Sequence, residues 1–280
     1  MVLIDGKKIS GQIRNRLAEE VQELNKKTGK TPGLATVLVG DDPASAVYVR
    51  NKNKICGELG FKSFEQKLSA DTSEEKLLQL VGKLNSNKDI HGILVQLPLP
   101  DQIDSEKILQ AIDPKKDVDG FHPVNVGKLV VGNALLTPCT PTGIIELLDH
   151  YDIEISGKHA VIIGRSNIVG KPVSMLLLQR NATITICHSR TQDLEEVTRS
   201  ADIIVAAVGR ANFVTEEMVS EGTVVIDVGI NRVDGKLTGD VDFEPVSKKA
   251  SHITPVPGGV GPMTIALLME NTLKAFKDPL

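Results

Sequence analysis

The chain has 280 residues, 41% hydrophobic and 24% charged, the proportions of a folded globular protein with room for two domains and their cores, which excludes a disordered, fibrous or disulfide-stapled polypeptide. Its 32 Lys and Arg against 36 Asp and Glu leave a formal charge of −4. No basic block is dense enough to track phosphates, Trp is absent and the only tyrosines are Tyr48 and Tyr151, so nucleic acid is not an expected partner.

Cys56, Cys139 and Cys187 are odd in number and widely spaced, which argues against a disulfide framework and for a reducing compartment. The opening Met-Val-Leu-Ile turns polar at Asp5, unlike a secretory signal, and no run approaches the roughly 20 apolar residues that span a bilayer. The expectation is a cytoplasmic protein with no membrane contact. His91, His122, His150, His159, His188 and His252 show no H-x-x-x-H pairing and no C-x-x-C partner, so no metal site is expected.

In chain order, Ile9, Ile13, Leu17, Val21 and Leu24 recur at steps of three and four and predict an amphipathic helix over 7–27, ended by Gly29 and Pro32. The Val/Leu-rich run 33–40 predicts a buried strand, and Asp42-Pro43 opens a helix to about residue 60, with Asp as N-cap and Pro in the first turn. A strand over 61–68, a helix over 73–84 and a strand over 90–97, stopped by Pro98 and Pro100, continue the alternation. Strands alternating with helices imply a parallel sheet with right-handed crossovers. Residues 113–140 are rich in Pro, Gly, Asn and Asp and are read as loop and hinge. A helix over 141–151 leads into a second alternating series, with strands at 159–164, 182–188, 202–208, 223–228 and 253–255. A final amphipathic stretch, 264–276, is expected to pack back across the junction. The expected fold is therefore α/β in two domains: an N-terminal α/β catalytic domain, 1–138 with 263–280, and a C-terminal Rossmann-like domain, 139–262, with a cleft between them.

In the second series, Ala160-Val161-Ile162-Ile163-Gly164-Arg165-Ser166-Asn167-Ile168-Val169-Gly170-Lys171-Pro172 reads as strand, glycine-bearing turn and helix start, which presents backbone N–H groups and a helix dipole to an anion. It departs from G-x-G-x-x-G, since Ser166 replaces the second glycine and Gly170 comes one residue late. A Walker A loop fits worse, because Lys171 precedes Pro172 where a magnesium-binding Ser or Thr belongs. An ordinary strand–helix turn is the competing reading. After the next strand comes His188-Ser189-Arg190-Thr191, with no carboxylate at the tip to accept a ribose 2′-hydroxyl; with Arg165 this favours NADP over NAD, against the alternative that Ser189 and Arg190 form a solvated loop. Gly209 and Gly229-Ile230 end two further strands, where a ligand approaching backbone needs missing side chains.

On the helix after Asp42-Pro43, Ser45, Tyr48, Lys52 and Cys56 fall at i, i+3, i+7 and i+11 and share a face, Lys52 turned towards Tyr48. The competing reading is a surface lysine whose stem covers the tyrosine. Short-chain dehydrogenases also use Tyr-x-x-x-Lys, but there the pair follows the glycine-rich turn, and here it precedes it. Gln96 is a lone amide at the end of an apolar strand and needs partners. Asp117 and Asp119 lie in a tight loop, where at least one is expected to cap the turn through its side chain.

Together, Tyr48-Val49-Arg50-Asn51-Lys52, Val95-Gln96-Leu97-Pro98-Leu99-Pro100, Lys116-Asp117-Val118-Asp119-Gly120, Pro138-Cys139-Thr140-Pro141, Gly164-Arg165-Ser166 to Gly170-Lys171-Pro172 and Pro257-Gly258-Gly259-Val260-Gly261-Pro262-Met263-Thr264 resemble the bifunctional methylenetetrahydrofolate dehydrogenase/cyclohydrolase family, in the right order over essentially the whole chain. The resemblance implies NADP-dependent oxidation of 5,10-methylenetetrahydrofolate, then hydrolysis of the methenyl cation to 10-formyltetrahydrofolate. By that similarity Lys52 is catalytic in the hydrolysis, Gln96 assists it, Tyr48 stacks on the folate and Asp119 holds the pterin. Ser45, Leu97, Pro98, Pro257, Gly258 and Gly261 complete the substrate set. Gly164, Arg165, Ser166, Gly170, Ser189, Arg190, Gly209 and Ile230 form the cofactor set. The resemblance also implies a homodimer, with tetrahydrofolate derivatives as substrates.

The chemistry suits these types. Hydrolysis needs a base for water and a route for its proton to a ring nitrogen, and a pterin edge offers paired N–H donors to a carboxylate. Hydride loss needs positioning but no acid or base. Two other readings compete: a hydrolase alone, on a lapsed nucleotide loop, and a non-catalytic folate or nucleotide sensor. Gly164, Arg165, Ser166 and Gly170 stand against the first, and the Tyr48, Lys52 and Gln96 set against the second.

Overall fold

A computed structural model describes residues 1–278. The chain divides into two compact units, one made of Gln12–Cys139 with the chain from Leu268 onward, the other of Met1–Gly11 with Thr140–Leu267.

The first unit is built on a three-stranded parallel sheet. Gly33–Val39 lies at its centre, between Lys62–Leu68 and Gly92–Val95. All seven residues of the central strand are buried, Thr36 among them, as the Val/Leu-rich run predicts for a strand covered on both faces. Lys62–Leu68 alternates between exposed and half-buried side chains, because it is an edge.

Two helices flank the sheet in sequence. Pro43–Glu58 starts where expected: the Asp42 carboxylate accepts a hydrogen bond from the Ser45 amide at 2.7 Å, and proline sits in the first turn. Glu74–Ser86 is capped by the Ser73 hydroxyl, carries Glu74 and Glu75 at the positive end of its dipole, and buries Leu77, Val81 and Leu84 at helical spacing. These three pack with Ala35, Val37, Val39, Ile93 and Val95 of the sheet.

Three details differ from the expectation. The third strand is shorter than 90–97, its ladder ending at Val95, although the Gln96 amide still donates to the Val37 carbonyl at 2.9 Å. The stretch 113–140 is not all loop: it holds a helix, Pro123–Val130, whose N-terminus is capped by the His122 ring nitrogen accepting from the Val124 amide at 3.1 Å. Eight residues are too few for helical periodicity to show. Ser105–Ala111, capped by Asp104, is likewise too short to stand out.

The second unit carries a six-stranded, all-parallel sheet in the order Val2–Leu3, His252–Ile253, Val224–Asp227, Ile203–Ala206, His159–Ile163, Thr183–Cys187. The four longest strands are those the apolar runs predict, trimmed at their ends. The pair Val2–Leu3 was not expected as a strand. It is legible only beside its partner, with Val2 opposite His252 and Leu3 opposite Ile253. A hairpin of Asn231–Val233 and Lys236–Thr238 also went unforeseen, although Asp234-Gly235 carries the positive φ values, 49° and 77°, that a two-residue turn demands. Short helices at Leu194–Arg199 and Phe243–Lys249 set Leu194, Val197, Phe243 and Val246 in the cluster formed by Val161, Ile163, Ile204 and Val225.

Leu77 is fully buried at the helix–sheet contact of the first unit. Leu77→Ala is expected to lower the stability of that unit by about 2–5 kcal/mol, read as a fall in the denaturant midpoint.

Candidate active site

Lys52 lies on the buried face of helix Pro43–Glu58, with Ser45, Val49 and Cys56, and is only 9% exposed. An ammonium in that position needs a polar partner. Its Nζ donates to Gln96 Oε1 at 3.1 Å. Gln96 is itself fixed: its side-chain nitrogen donates to the Leu97 carbonyl at 2.7 Å and its backbone amide to the Val37 carbonyl. The amide oxygen is therefore aimed at the lysine by a strand end and a turn. Tyr48, one turn before Lys52, is 42% exposed, and the lysine is bonded to Gln96 rather than turned to the tyrosine hydroxyl. Leu97 is half-buried and Pro98 exposed, joined by a cis peptide bond.

The Asp117–Asp119 loop separates two tasks. Asp117 is buried and builds the turn. It accepts from the backbone amides of Phe121 at 3.2 Å and His122 at 2.8 Å and from the Asn125 side chain at 2.8 Å. Asp119 is half-buried, and burial pushes its carboxyl up to about 6, a rise opposed by the nearby Lys52 charge and reinforced by Asp117. Cys139 is buried in the same surroundings, its thiol held well above the usual range by burial and by Asp119. Asn271 escaped the sequence reading. Its side-chain nitrogen donates to the carbonyls of Val118 at 2.9 Å and Thr137 at 2.8 Å, bracing the backbone on which Asp119 stands. A partner 153 residues away in sequence leaves no local signal.

In the second unit the register lines up four carboxyl ends: Ile163 lies opposite both Cys187 and Ala206, and Ala206 opposite Asp227. The segments after them, carrying Gly164 to Ser166, Ser189 and Arg190, Gly209, and Ile230, therefore share one edge. The chain runs from His159–Ile163 to the strand on one side, then returns to Ile203–Ala206 on the other, the switch point where open α/β sheets bind ligands. Gly164 has φ of 126°, and a Cβ there would collide with the Ala207 carbonyl; one on Gly170 would collide with the Gly164 carbonyl. No other residue fits at either position. The Ser166 hydroxyl accepts from the amides of Val169 at 3.1 Å and Gly170 at 3.3 Å, shaping the start of helix Gly170–Gln179. Arg165, Ser166, Ser189, Arg190 and Gly209 are all exposed.

Pro257 is exposed and follows a cis peptide bond, and Gly258 and Gly261 are half-buried near the start of helix Val260–Lys277. A Cβ on Gly261 would lie 3.6 Å from Ile230 Cδ1, so these two candidates are neighbours. Among the described residues no group of three or more His, Cys, Asp or Glu could hold a metal ion, and no helix is long and apolar enough to cross a membrane.

Two family models match the chain: the catalytic domain of tetrahydrofolate dehydrogenase/cyclohydrolase over residues 4–119 and its NAD(P)-binding domain over residues 138–279. The chain belongs to the tetrahydrofolate dehydrogenase/cyclohydrolase family. Relatives within the family include the bifunctional protein FolD of Halothermothrix orenii, 60% identical over 98% of each chain, and that of Halalkalibacterium halodurans, 57% identical over 99% of each. The structure superposes on the bifunctional FolD of Campylobacter jejuni with a TM-score of 0.98 at 53% identity, covering 100% of both chains. It matches the Trypanosoma brucei FolD, solved with NADP cofactor and an inhibitor, at 0.95 and 42% identity over 99% and 97%.

Removing the Asp117 carboxylate leaves one buried and two partly buried donors without their acceptor. Asp117→Ala is expected to destabilise the first unit by about 3 kcal/mol, measurable as a lowered Tm with the second unit's transition unmoved.

Proposed function

We propose that this chain oxidises 5,10-methylenetetrahydrofolate to the methenyl cation at the expense of NADP and hydrolyses that cation to 10-formyltetrahydrofolate. The observation that carries the reading is a buried lysine held by an oriented amide, Lys52 on Gln96, beside the carboxylate of Asp119, in a chain of this family. Bound NADP supplies the hydride acceptor.

For the first step the residues need only bind and align, because the methylene carbon gives up hydride and the two flanking nitrogens spread the charge that remains. Gly164, Arg165, Ser166 and Gly170 are assigned to the pyrophosphate at the helix start. Ser189 and Arg190 are assigned to the ribose phosphate, where a donor and a positive charge suit a dianion and no carboxylate stands at the strand tip. Gly209 and Ile230, on the same edge, border the nucleotide. On the folate side, the exposed Tyr48 ring offers a stacking face, Asp119 accepts the paired N–H donors of the pterin, and Ser45, Leu97, Pro98, Pro257, Gly258 and Gly261 line the substrate.

For the second step, Lys52 Nζ, reacting as the free amine, takes one proton from water as the oxygen adds to the one-carbon bridge and returns it to N5 as the C–N5 bond breaks, while the new hydroxyl loses its remaining proton to solvent and becomes the formyl oxygen on N10. Gln96 Oε1 holds that nitrogen in place through the transfer. The working form is proposed to be a homodimer, on the strength of the family resemblance. The compartment is proposed to be the cytoplasm, which suits three free, buried cysteines.

Two measurements test this. With 5,10-methylenetetrahydrofolate and NADP, the wild-type chain is expected to form reduced nicotinamide with little methenyl accumulation. Lys52→Met is expected to retain part of the hydride transfer while methenyl compound builds up, hydrolysis falling by about 10²-fold or more. Hydrolysis of added methenyl substrate with no reduction of NADP or NAD would overturn the dehydrogenase assignment. The second measurement is of pH. With the Asp119 carboxyl at about 6, the acceptor is ionised above that pH and protonated below it, so folate affinity is expected to drop by about tenfold per pH unit as pH falls below about 6. Asp119→Asn, already unable to ionise, is expected to bind weakly with no such slope.

A further inference from the structure

Asp240 carries a fully buried side chain next to the proposed nucleotide edge, and no local sequence feature singles it out. Its Oδ2 accepts from the backbone amides of Val208 at 2.6 Å and Gly209 at 2.9 Å, and its Oδ1 from the Arg210 amide at 2.9 Å and the Asn231 side chain at 2.9 Å. These four donors are neutral N–H groups, so peptide dipoles satisfy this buried carboxylate. Asp227, at the end of strand Val224–Asp227, holds Asp240 in turn: its Oδ1 accepts from the amides of Gly229 and Asp240, both at 2.9 Å, and its Oδ2 from the Val241 amide at 3.0 Å. The packing leaves no slack. A Cβ on Gly229 would overlap the Asp240 carboxylate, and one on Gly239 would overlap that of Asp227.

We propose that Asp240 is a positioning residue of the nucleotide site, its carboxylate locking the Val208–Gly209–Arg210 turn and the Ile230–Asn231 segment into one ligand-facing surface. The inference rests on the nucleotide reading above and adds a division of labour. The three amides of the 208–210 turn all point inward to Asp240 and are unavailable to an anion, so this turn meets an uncharged part of the dinucleotide, a ribose or a base. Phosphate recognition falls to the turn that begins at Gly164. A floor of hydrophobic side chains would close the same space, but it would leave three inward amides without acceptors.

The test uses the full chain and calorimetric titration with NADP. Asp240→Asn puts a donor where amides already donate. It is expected to raise the NADP Kd and the KM for NADP by about tenfold or more, with a smaller change in kcat and with hydrolysis of added methenyl substrate within about twofold of wild type. Val246→Ala, a cavity in the same unit's core at a residue that makes no hydrogen bond to the turn, is expected to lower Tm and leave the Kd within about twofold. Should Asp240→Asn fail to fold, Asn231→Ala removes one donor and is expected to raise the Kd by about threefold. No NADP binding by the wild-type chain would overturn the nucleotide reading and this inference with it. Binding that the Asp240 and Asn231 variants leave unchanged, or that Val246→Ala weakens as much as Asp240→Asn does, would overturn this inference alone.

Discussion

Burying a charged or polar group is tolerable only where a partner is waiting in fixed geometry, and both candidate sites are organised by that constraint. Lys52 is buried against Gln96, Gln96 is held by the Leu97 and Val37 carbonyls, and Val37 belongs to the fully buried central strand. The Lys52 nitrogen is thus tied to the sheet, through its bond to Gln96 and the Gln96 amide on Val37, as well as to the helix that carries it. The same constraint makes Asp117 structural and frees Asp119. One carboxylate spends its acceptors on the turn, while burial pushes its neighbour's carboxyl up to about 6.

In the second unit the equivalent role falls to the parallel register. Hydrogen-bonded neighbours ending at the same level bring four short segments, far apart in sequence, to one edge. Close approach then limits what those segments contain: the backbone at Ala207 and at Gly164 leaves no space for side chains on Gly164 and Gly170. The glycines of the 164–170 turn follow from steric exclusion by neighbouring backbone, whichever ligand the turn meets.

Where sequence reading succeeded, the signal was local and repeated. The helix after Asp42-Pro43 begins at the residue its cap dictates, and the buried strands lie in stretches rich in Val, Leu and Ile. Where it failed, the deciding partner was distant or the element too short for a period to develop. Val2–Leu3 is a strand only because His252–Ile253 lies beside it. Pro123–Val130 depends on one histidine cap. Asn271 and Asp240 act across long sequence separations through hydrogen bonds to backbone, which any Asn or Asp could make and which no spacing announces. Tyr48 and Lys52 were correctly placed on one helix, but their helical spacing suggested a mutual contact, and the lysine instead found its partner on a neighbouring strand end.

By itself, the sequence determined the α/β class, the two alternating series, the starts of the three long helices of the N-terminal half to within a residue and the residue types of both candidate sites, because periodicity, caps and glycine turns are written within a few residues of one another. It also carried the family resemblance, through six motifs in order along the chain. Only the tertiary structure decided which of the two loop aspartates, Asp117 or Asp119, builds the turn and what stands beneath the 208–210 turn. Those choices depend on which donors and acceptors meet once the chain has packed, and burial turns an ordinary polar side chain into an obligatory partner.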